Sequence, residues 1–198
     1  MNAASMSPLD SLHTAVLSLD IQTALVAIYT KDSPAFLPTV ASVLAQARRV
    51  QASLLHCRVG FRPGFPEVSA RNSFLAAMKS NPQHRQIFEG ELGAIHRAVA
   101  PESDEVVITK HRVSAFHGTD LSVVLRSKEV DTLVLFGIAT SGVVLSTALE
   151  ATDFDYRVFV VRDCCADLDA DVHNCVLDKL LSRRTTVLTA AELISILN

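Results

Sequence analysis

The chain has 198 residues, 49% of them hydrophobic, and a net charge of −3. That length suits one domain with one good core, and that hydrophobic content excludes a disordered chain. No basic footprint for nucleic acid or an anionic membrane is present, no apolar run approaches the ~20 residues of a membrane span, and the opening residues lack a secretory pattern, so a cytoplasmic location is expected.

Residues 1–12 read as a flexible N-terminal segment and 13–198 as one domain. TAVLSL at 14–19 is rich in β-formers and ends at Asp20, which makes it the first strand. Val40, Val43, Leu44 and Ala47 share one face of a helix predicted over 37–50. ASLLHC at 52–57 is a second strand. Residues 60–104 then break the rhythm with Pro63, Gly64, Pro66, Asn72, Pro82 and Gly90. A loop of that length is uncommon in a compact domain and usually functional. It reads as an insertion that walls the active-site end of the sheet, with short helices over 72–80 and 83–98. Further strands are predicted at 105–109 (EVVIT), 132–136 (TLVLF), 156–161 (YRVFVV) and 186–188, with helices over 121–127, 141–153, 171–181 and 190–197. Apolar strands separated by helices imply strands covered on both faces. Right-handed crossovers then give a three-layer α/β/α sandwich around a mainly parallel six-stranded sheet.

Four cysteines are present: Cys57, Cys164, Cys165 and Cys175. Their spacing contains no C-x-x-C and suggests neither a disulfide framework nor zinc, and no metal or cofactor is expected.

Ligands in open α/β sheets bind beyond the carboxyl ends of the strands. This sequence places Asp20 there after the first strand, Arg58 and Arg62 after the second, Lys110 and Arg112 after the third, the turn GIATSG (137–142) after the fourth, and Asp163 after the fifth. Asp20 and Lys110 on neighbouring strand ends are expected to form an ion pair and to perturb one another's ionisation, as active sites exploit.

Three elements carry a family resemblance. Leu19-Asp20-Ile21-Gln22 resembles the D-x-Q element of isochorismatase-like cysteine hydrolases. Lys110 to Leu121 (KHRVSAFHGTDL) resembles their K-x-x-x-S-A-F-x-G-T-x-L element, and Gly137 to Val144 (GIATSGVV) resembles G-x-x-T-x-x-C-V. The order and spacing agree from about residue 13 to 197. The resemblance implies a triad of aspartate, lysine and cysteine, with a thiolate favoured at a helix N-terminus. It also implies a backbone oxyanion hole helped by a non-proline cis peptide, expected between Ile138 and Ala139. Carried onto this chain, the aspartate is Asp20 and the lysine Lys110. The nucleophile position is Val143, which has no nucleophile.

Nicotinamidase-type chemistry would need Asp-x-His near the end of the second strand, where this chain has Arg58-Val59-Gly60. The resemblance includes isochorismatases that also lack the cysteine and hydrolyse a vinyl ether. There Asp20 would be the acid if a closed pocket raised its pKa, and Lys110 and Arg62 would bind a substrate carboxylate. Gln22, Ile138, Ala139, Ser141 and Gly142 complete the expected substrate site, with Phe65 as an aromatic lid. Ser141 reads as a helix N-cap, His117 as a solvated loop histidine, and Cys164 or Cys165 as a thiol near the rim. Three functions follow: a cysteine-free hydrolase of a small carboxylate-bearing metabolite, an inactive relative that binds a metabolite or protein partner, or a purely structural or assembly role if side chains fill the pocket. Apolar helices and the resemblance together imply a homo-oligomer, dimer or higher.

Overall fold

The computed structural model describes residues 7–31 and 33–198. Part of the expected N-terminal segment, residues 1–6, lies outside the described residues. Leu9 is buried and pairs with Leu197.

Six strands form one all-parallel sheet: β1 (Thr14–Leu19), β2 (Ser53–Val59), β3 (Val106–Lys110), β4 (Thr132–Gly137), β5 (Arg157–Val161) and β6 (Thr186–Leu188), in the order β3-β2-β1-β4-β5-β6. Every residue of β1 and β4 is buried. These two central strands are covered on both faces, which is why they read as unbroken apolar runs. The chain winds outward from β1 through β2 to β3, then returns to start β4 on the other side of β1. That reversal makes the β1/β4 boundary the switch point where such sheets open a crevice.

The helices are α1 (Thr23–Tyr29), α2 (Phe36–Arg49), α3 (Ser73–Ser80), α4 (Pro82–Gln86), α5 (Leu121–Ser127), α6 (Leu145–Asp153), α7 (Ala170–Cys175) and α8 (Ala190–Ile196). α2 buries Val40, Val43, Leu44 and Ala47, the stripe expected from its spacing, and packs on α8. The helix α8 begins with a capping box between Thr189 and Glu192, which satisfies two free backbone donors reciprocally. No helix among the described residues is long and apolar enough to cross a membrane.

Four expectations change. α1 is a helix that the periodicity of 20–30 does not announce. The helix expected over 83–98 stops at Gln86; Gly90 takes a left-handed φ of 53°, and a Cβ on Gly93 would lie 2.3 Å from the Phe88 carbonyl carbon. The segment 141–153 opens as a π-helical turn, Thr140–Val144, before α6. After α7 the chain continues through a π turn, Val176–Leu180, and a 3-10 turn, Leu181–Arg183.

The 60–104 insertion builds its own small core from Phe65, Val68, Leu75 and Met78, with Phe61 and Phe88 against it. Its return end is sewn to the exit of β1. His96 N–H donates to the Ile21 carbonyl at 2.9 Å and Thr23 N–H to the Ala94 carbonyl at 2.9 Å.

Candidate active site

At the carboxyl end of β1 the chain turns sharply at Asp20, whose φ of 53° is a left-handed value that aspartate tolerates. The backbone N–H of Asp20 still donates to the Cys57 carbonyl at 2.9 Å, so the turn begins inside the sheet. Asp20 and Lys110 are both buried, and Lys110 Nζ lies 2.7 Å from Asp20 Oδ2. The expected pairing is present, but its expected geometry is not. β1 and β3 are separated by β2. The strand ends therefore stand about two spacings, ~9.6 Å, apart, and the long lysine side chain crosses in front of β2. Lys110 Nζ also donates to the Arg112 carbonyl at 3.0 Å.

Asp20 Oδ1 is buried and has no hydrogen-bond partner among the described residues. Burial pushes the Asp20 carboxyl above the ordinary carboxylate range, and the Lys110 ammonium opposes that shift without cancelling it. A carboxyl with a free buried oxygen and a raised pKa is suited to deliver or accept a proton.

β4 leads into the second half of the site. Gly137 has φ 147°, and a Cβ there would lie 1.9 Å from the Leu19 carbonyl oxygen. Only glycine lets the end of β4 press this closely on the end of β1. The Ile138–Ala139 peptide is cis, as expected. Ile138 N–H donates to Leu19 O at 3.0 Å, and Thr140 N–H donates to Ala166 O at 2.9 Å. The Thr140 hydroxyl and His173 Nδ1 are 2.8 Å apart. These bonds hold the Thr140–Val144 turn against the ends of β1 and β4 and the 166–173 segment.

A cavity of about 470 Å³ opens over this rim, within the range of small-molecule sites. Asp20, Lys110, Ile138, Ala139, Ser141, Gly142 and Val143 all line it, so the structure brings these sequence-predicted residues together. Three others lie elsewhere. Gln22 is fully buried; its amide donates to Val59 O at 3.0 Å and Gly93 O at 2.7 Å, and its oxygen accepts from Val59 N–H at 2.9 Å. It clamps β2 and the insertion to the exit of β1, and its polar groups are used in doing so. The Arg62 side chain is 71% exposed and pairs with Glu67 at 2.6 Å. Phe65 is buried in the insertion core, stacked on Phe61 at 4.9 Å.

The cavity also uses Arg112, a rim candidate of the sequence, and residues from the insertion, α1 and the chain after β5 that the sequence did not single out. Arg112 lines it in place of Arg62, with its guanidinium donating to His111 O at 2.6 Å and Glu67 O at 3.0 Å. Phe61, Phe74 and Phe88 supply aromatic walls from the insertion, and Leu25 and Tyr29 supply another wall from α1. Asp167 lines it as well, and its Oδ2 accepts the Ser141 N–H at 2.7 Å. Ser141 is thus not the cap of its own turn; a carboxylate from a distant loop meets that donor. The single available signal was an aspartate shortly after the fifth strand. Of the other rim candidates, Asp163 caps α8 through the Ala190 N–H at 2.8 Å, and Arg58 Nε donates to Thr109 Oγ1 at 3.3 Å. His117 is exposed. Cys164 and Cys165 are buried and do not line the cavity; burial raises both thiols, Cys165 to about 12.

Comparison with known proteins identifies the family and the fold. A family model described as the isochorismatase domain matches residues 14–192. Maleamate amidohydrolase from Pseudomonas putida is 31% identical over 166 residues, covering 83% of this chain and 76% of that protein. Among solved structures, a cysteine hydrolase from Pseudomonas syringae pv. phaseolicola 1448A superposes with a TM-score of 0.84 at 26% identity, covering 96% of this chain and 94% of that one. An isochorismatase family protein from Burkholderia thailandensis gives a TM-score of 0.83 at 26% identity, covering 97% and 99%. With the matched model spanning nearly the whole chain, this protein belongs to the isochorismatase family of hydrolases.

Proposed function

We propose that this chain is a cysteine-independent hydrolase of a small carboxylate-bearing metabolite, with Asp20 as the proton-transfer group and Val143 at the position of the family's nucleophile. The observation that carries the reading is the buried Asp20–Lys110 pair, which leaves Asp20 Oδ1 unpartnered in a residue that lines a 470 Å³ cavity. A valine cannot form an acyl intermediate, so the reaction must proceed by proton transfer and direct attack of water. A vinyl ether meets that condition. Asp20, protonated, gives its proton to the vinyl carbon and forms an oxocarbenium ion. Water adds to that ion and loses a proton to the Asp20 carboxylate, and the hemiketal collapses to a carbonyl compound and an alcohol. The net change is addition of one water, and Asp20 ends protonated. Lys110 holds the carboxylate form between these steps, and Arg112 is the cation that receives the substrate carboxylate.

A second reading has one observation in its favour. Val143 is itself part of the cavity lining, which suits a site that binds a metabolite without converting it. Mass spectrometry of wild-type protein against vinyl ethers, amides and esters separates the two. The hydrolase reading expects turnover of at least one class and its loss in Asp20→Asn. Retained turnover in that variant sinks the role of Asp20, and no turnover of any class favours the binding protein.

A further inference from the structure

We propose that His173, which lies outside the cavity, is a positioning residue: as a neutral imidazole it accepts a hydrogen bond from the Thr140 hydroxyl and so fixes the turn that carries Ser141, Gly142 and Val143 into the cavity wall. This rests on the reading above that the cavity is the substrate site.

Thr140 is fully buried, and the hydrogen-bond partner of its hydroxyl among the described residues is His173 Nδ1, at 2.8 Å. A buried hydroxyl has one proton to place. If Nδ1 carried a proton, that nitrogen would be the donor, and the hydroxyl proton would have no acceptor in the interior. If Nδ1 is bare, the hydroxyl donates to it and both groups are satisfied. The bond therefore selects the neutral ring with its proton on Nε2. Burial holds the His173 imidazole below its ordinary 6.5; the Asp167 and Asp178 charges oppose that shift and Arg162 adds to it. The ring is thus neutral at neutral pH, as the bond requires.

The place of the bond gives it a role. Neither Thr140 nor His173 lines the cavity, yet Ile138 and Ala139 just before Thr140, and Ser141, Gly142 and Val143 just after it, all do. Thr140 is the point at which that wall is held from behind. Two contacts reach its backbone from the chain after β5: Thr140 N–H donates to Ala166 O at 2.9 Å, and Ser141 N–H donates to Asp167 Oδ2 at 2.7 Å. Both leave the Thr140 side chain untouched. His173 supplies the third contact, from α7, which packs on the turn. α7 itself is capped by Asp169 and has no buried residue; Val176 and Leu177 enter the core only after it ends. A polar bond, not an apolar stripe, therefore joins α7 to the turn. Losing that bond frees the turn on the side away from the cavity, and a small displacement there moves the groups that face a substrate.

The test places a reporter in the turn. The full chain carries Val143→Cys, with the exposed Cys175 removed by Cys175→Ser, and the introduced thiol is alkylated with iodoacetamide and timed by intact mass. Its rate reads where the turn holds position 143. His173→Phe keeps a ring on the turn and removes the acceptor; the rate should fall about five- to tenfold, the effect of one lost hydrogen bond. Thr140→Val, which removes the hydroxyl at nearly constant shape, should give the same fall. His173→Asn puts an acceptor oxygen close to the place of Nδ1 and should return the rate to within about twofold of the parent. A role in packing alone predicts the opposite order, with Phe tolerated and Asn not. Nitrogen-15 spectra of histidine-labelled wild-type protein, with His173 assigned through His173→Asn, should show Nδ1 unprotonated at neutral pH. A protonated Nδ1 overturns the proposal, as does a rate that His173→Phe and Thr140→Val leave unchanged, or one that Asn fails to rescue. If His173→Phe does not fold, Thr140→Val decides alone. Neither measurement uses turnover, so absence of turnover with every substrate class would sink the hydrolase reading and leave this one standing. Turnover that depends on Asp20, beside an unchanged alkylation rate in both variants, would sink this one alone.

Discussion

Lys110 grips Asp20 at 2.7 Å from a strand that is not its neighbour, and both residues are buried. The lysine spans the end of β2 to reach the acid, so the pair also ties together the outer and central strands of that half of the sheet.

Removing one partner should therefore cost more than a surface pair would. Lys110→Met leaves a buried carboxylate uncompensated, a change that typically destabilises by about 3–5 kcal/mol. Urea denaturation should show that loss. Adding Asp20→Asn to the same chain should restore part of it, because the second change removes the stranded charge.

Thiol chemistry should be separable from function. Among the four cysteines only Cys175 is exposed. Brief treatment of native protein with iodoacetamide should modify one thiol by intact mass and leave turnover unchanged. Val143→Cys should add a second, faster-reacting thiol, because the turn ahead of α6 favours a thiolate. Loss of wild-type turnover in Cys164→Ser or Cys165→Ser with the fold intact would contradict a cysteine-free mechanism.

Gly137→Ala tests the contact between β1 and β4. The added Cβ would meet Leu19 O at 1.9 Å in a left-handed backbone conformation. Backbone atoms cannot yield as a flexible side chain would. The expected cost is about 3 kcal/mol or more, read as a fall in the urea midpoint, together with loss of turnover.

Acid should weaken the fold through a cluster far from the cavity. Burial alone would raise the Glu105 carboxyl, but hydrogen bonds from Arg48, the Glu102 backbone and His56 outweigh it and hold the group at about 2 against an ordinary 4.5. Burial holds His56 below its ordinary 6.5, and Glu105 only partly offsets this. For both groups the unfolded chain takes up the proton first, so both remove stability as pH falls. The His56 contribution should begin to be lost below about pH 6.5. The Glu105 contribution is complete above about 4.5 and is lost on descent through about 2. Calorimetry should show Tm falling across this range, and Glu105→Gln should flatten the portion below 4.5. A Tm that is level from pH 7 to 3 would refute this.

The sequence by itself determined the strands, the sandwich class and the residues that end β1, β3 and β4. Apolar runs such as 14–19 and 132–136 are buried on both faces, and that demand is local enough to read. Asp20, Lys110 and the 137–144 turn were legible because each lies at or just after a strand end and matches a family element. Only the tertiary structure decided the sheet order, which put β2 between the two halves of the ion pair. Side-chain periodicity sets which way a residue faces and says nothing about which strand lies alongside. The same holds for the loops. Arg112, not Arg62, reaches the cavity, and Gln22 and Phe65 serve the framework, because loop side chains point where distant partners such as Glu67, Val59 and Gly93 take them. Asp167 meets the Ser141 N–H from 26 positions away, a contact created by the docking of the chain after β5 against the end of β4.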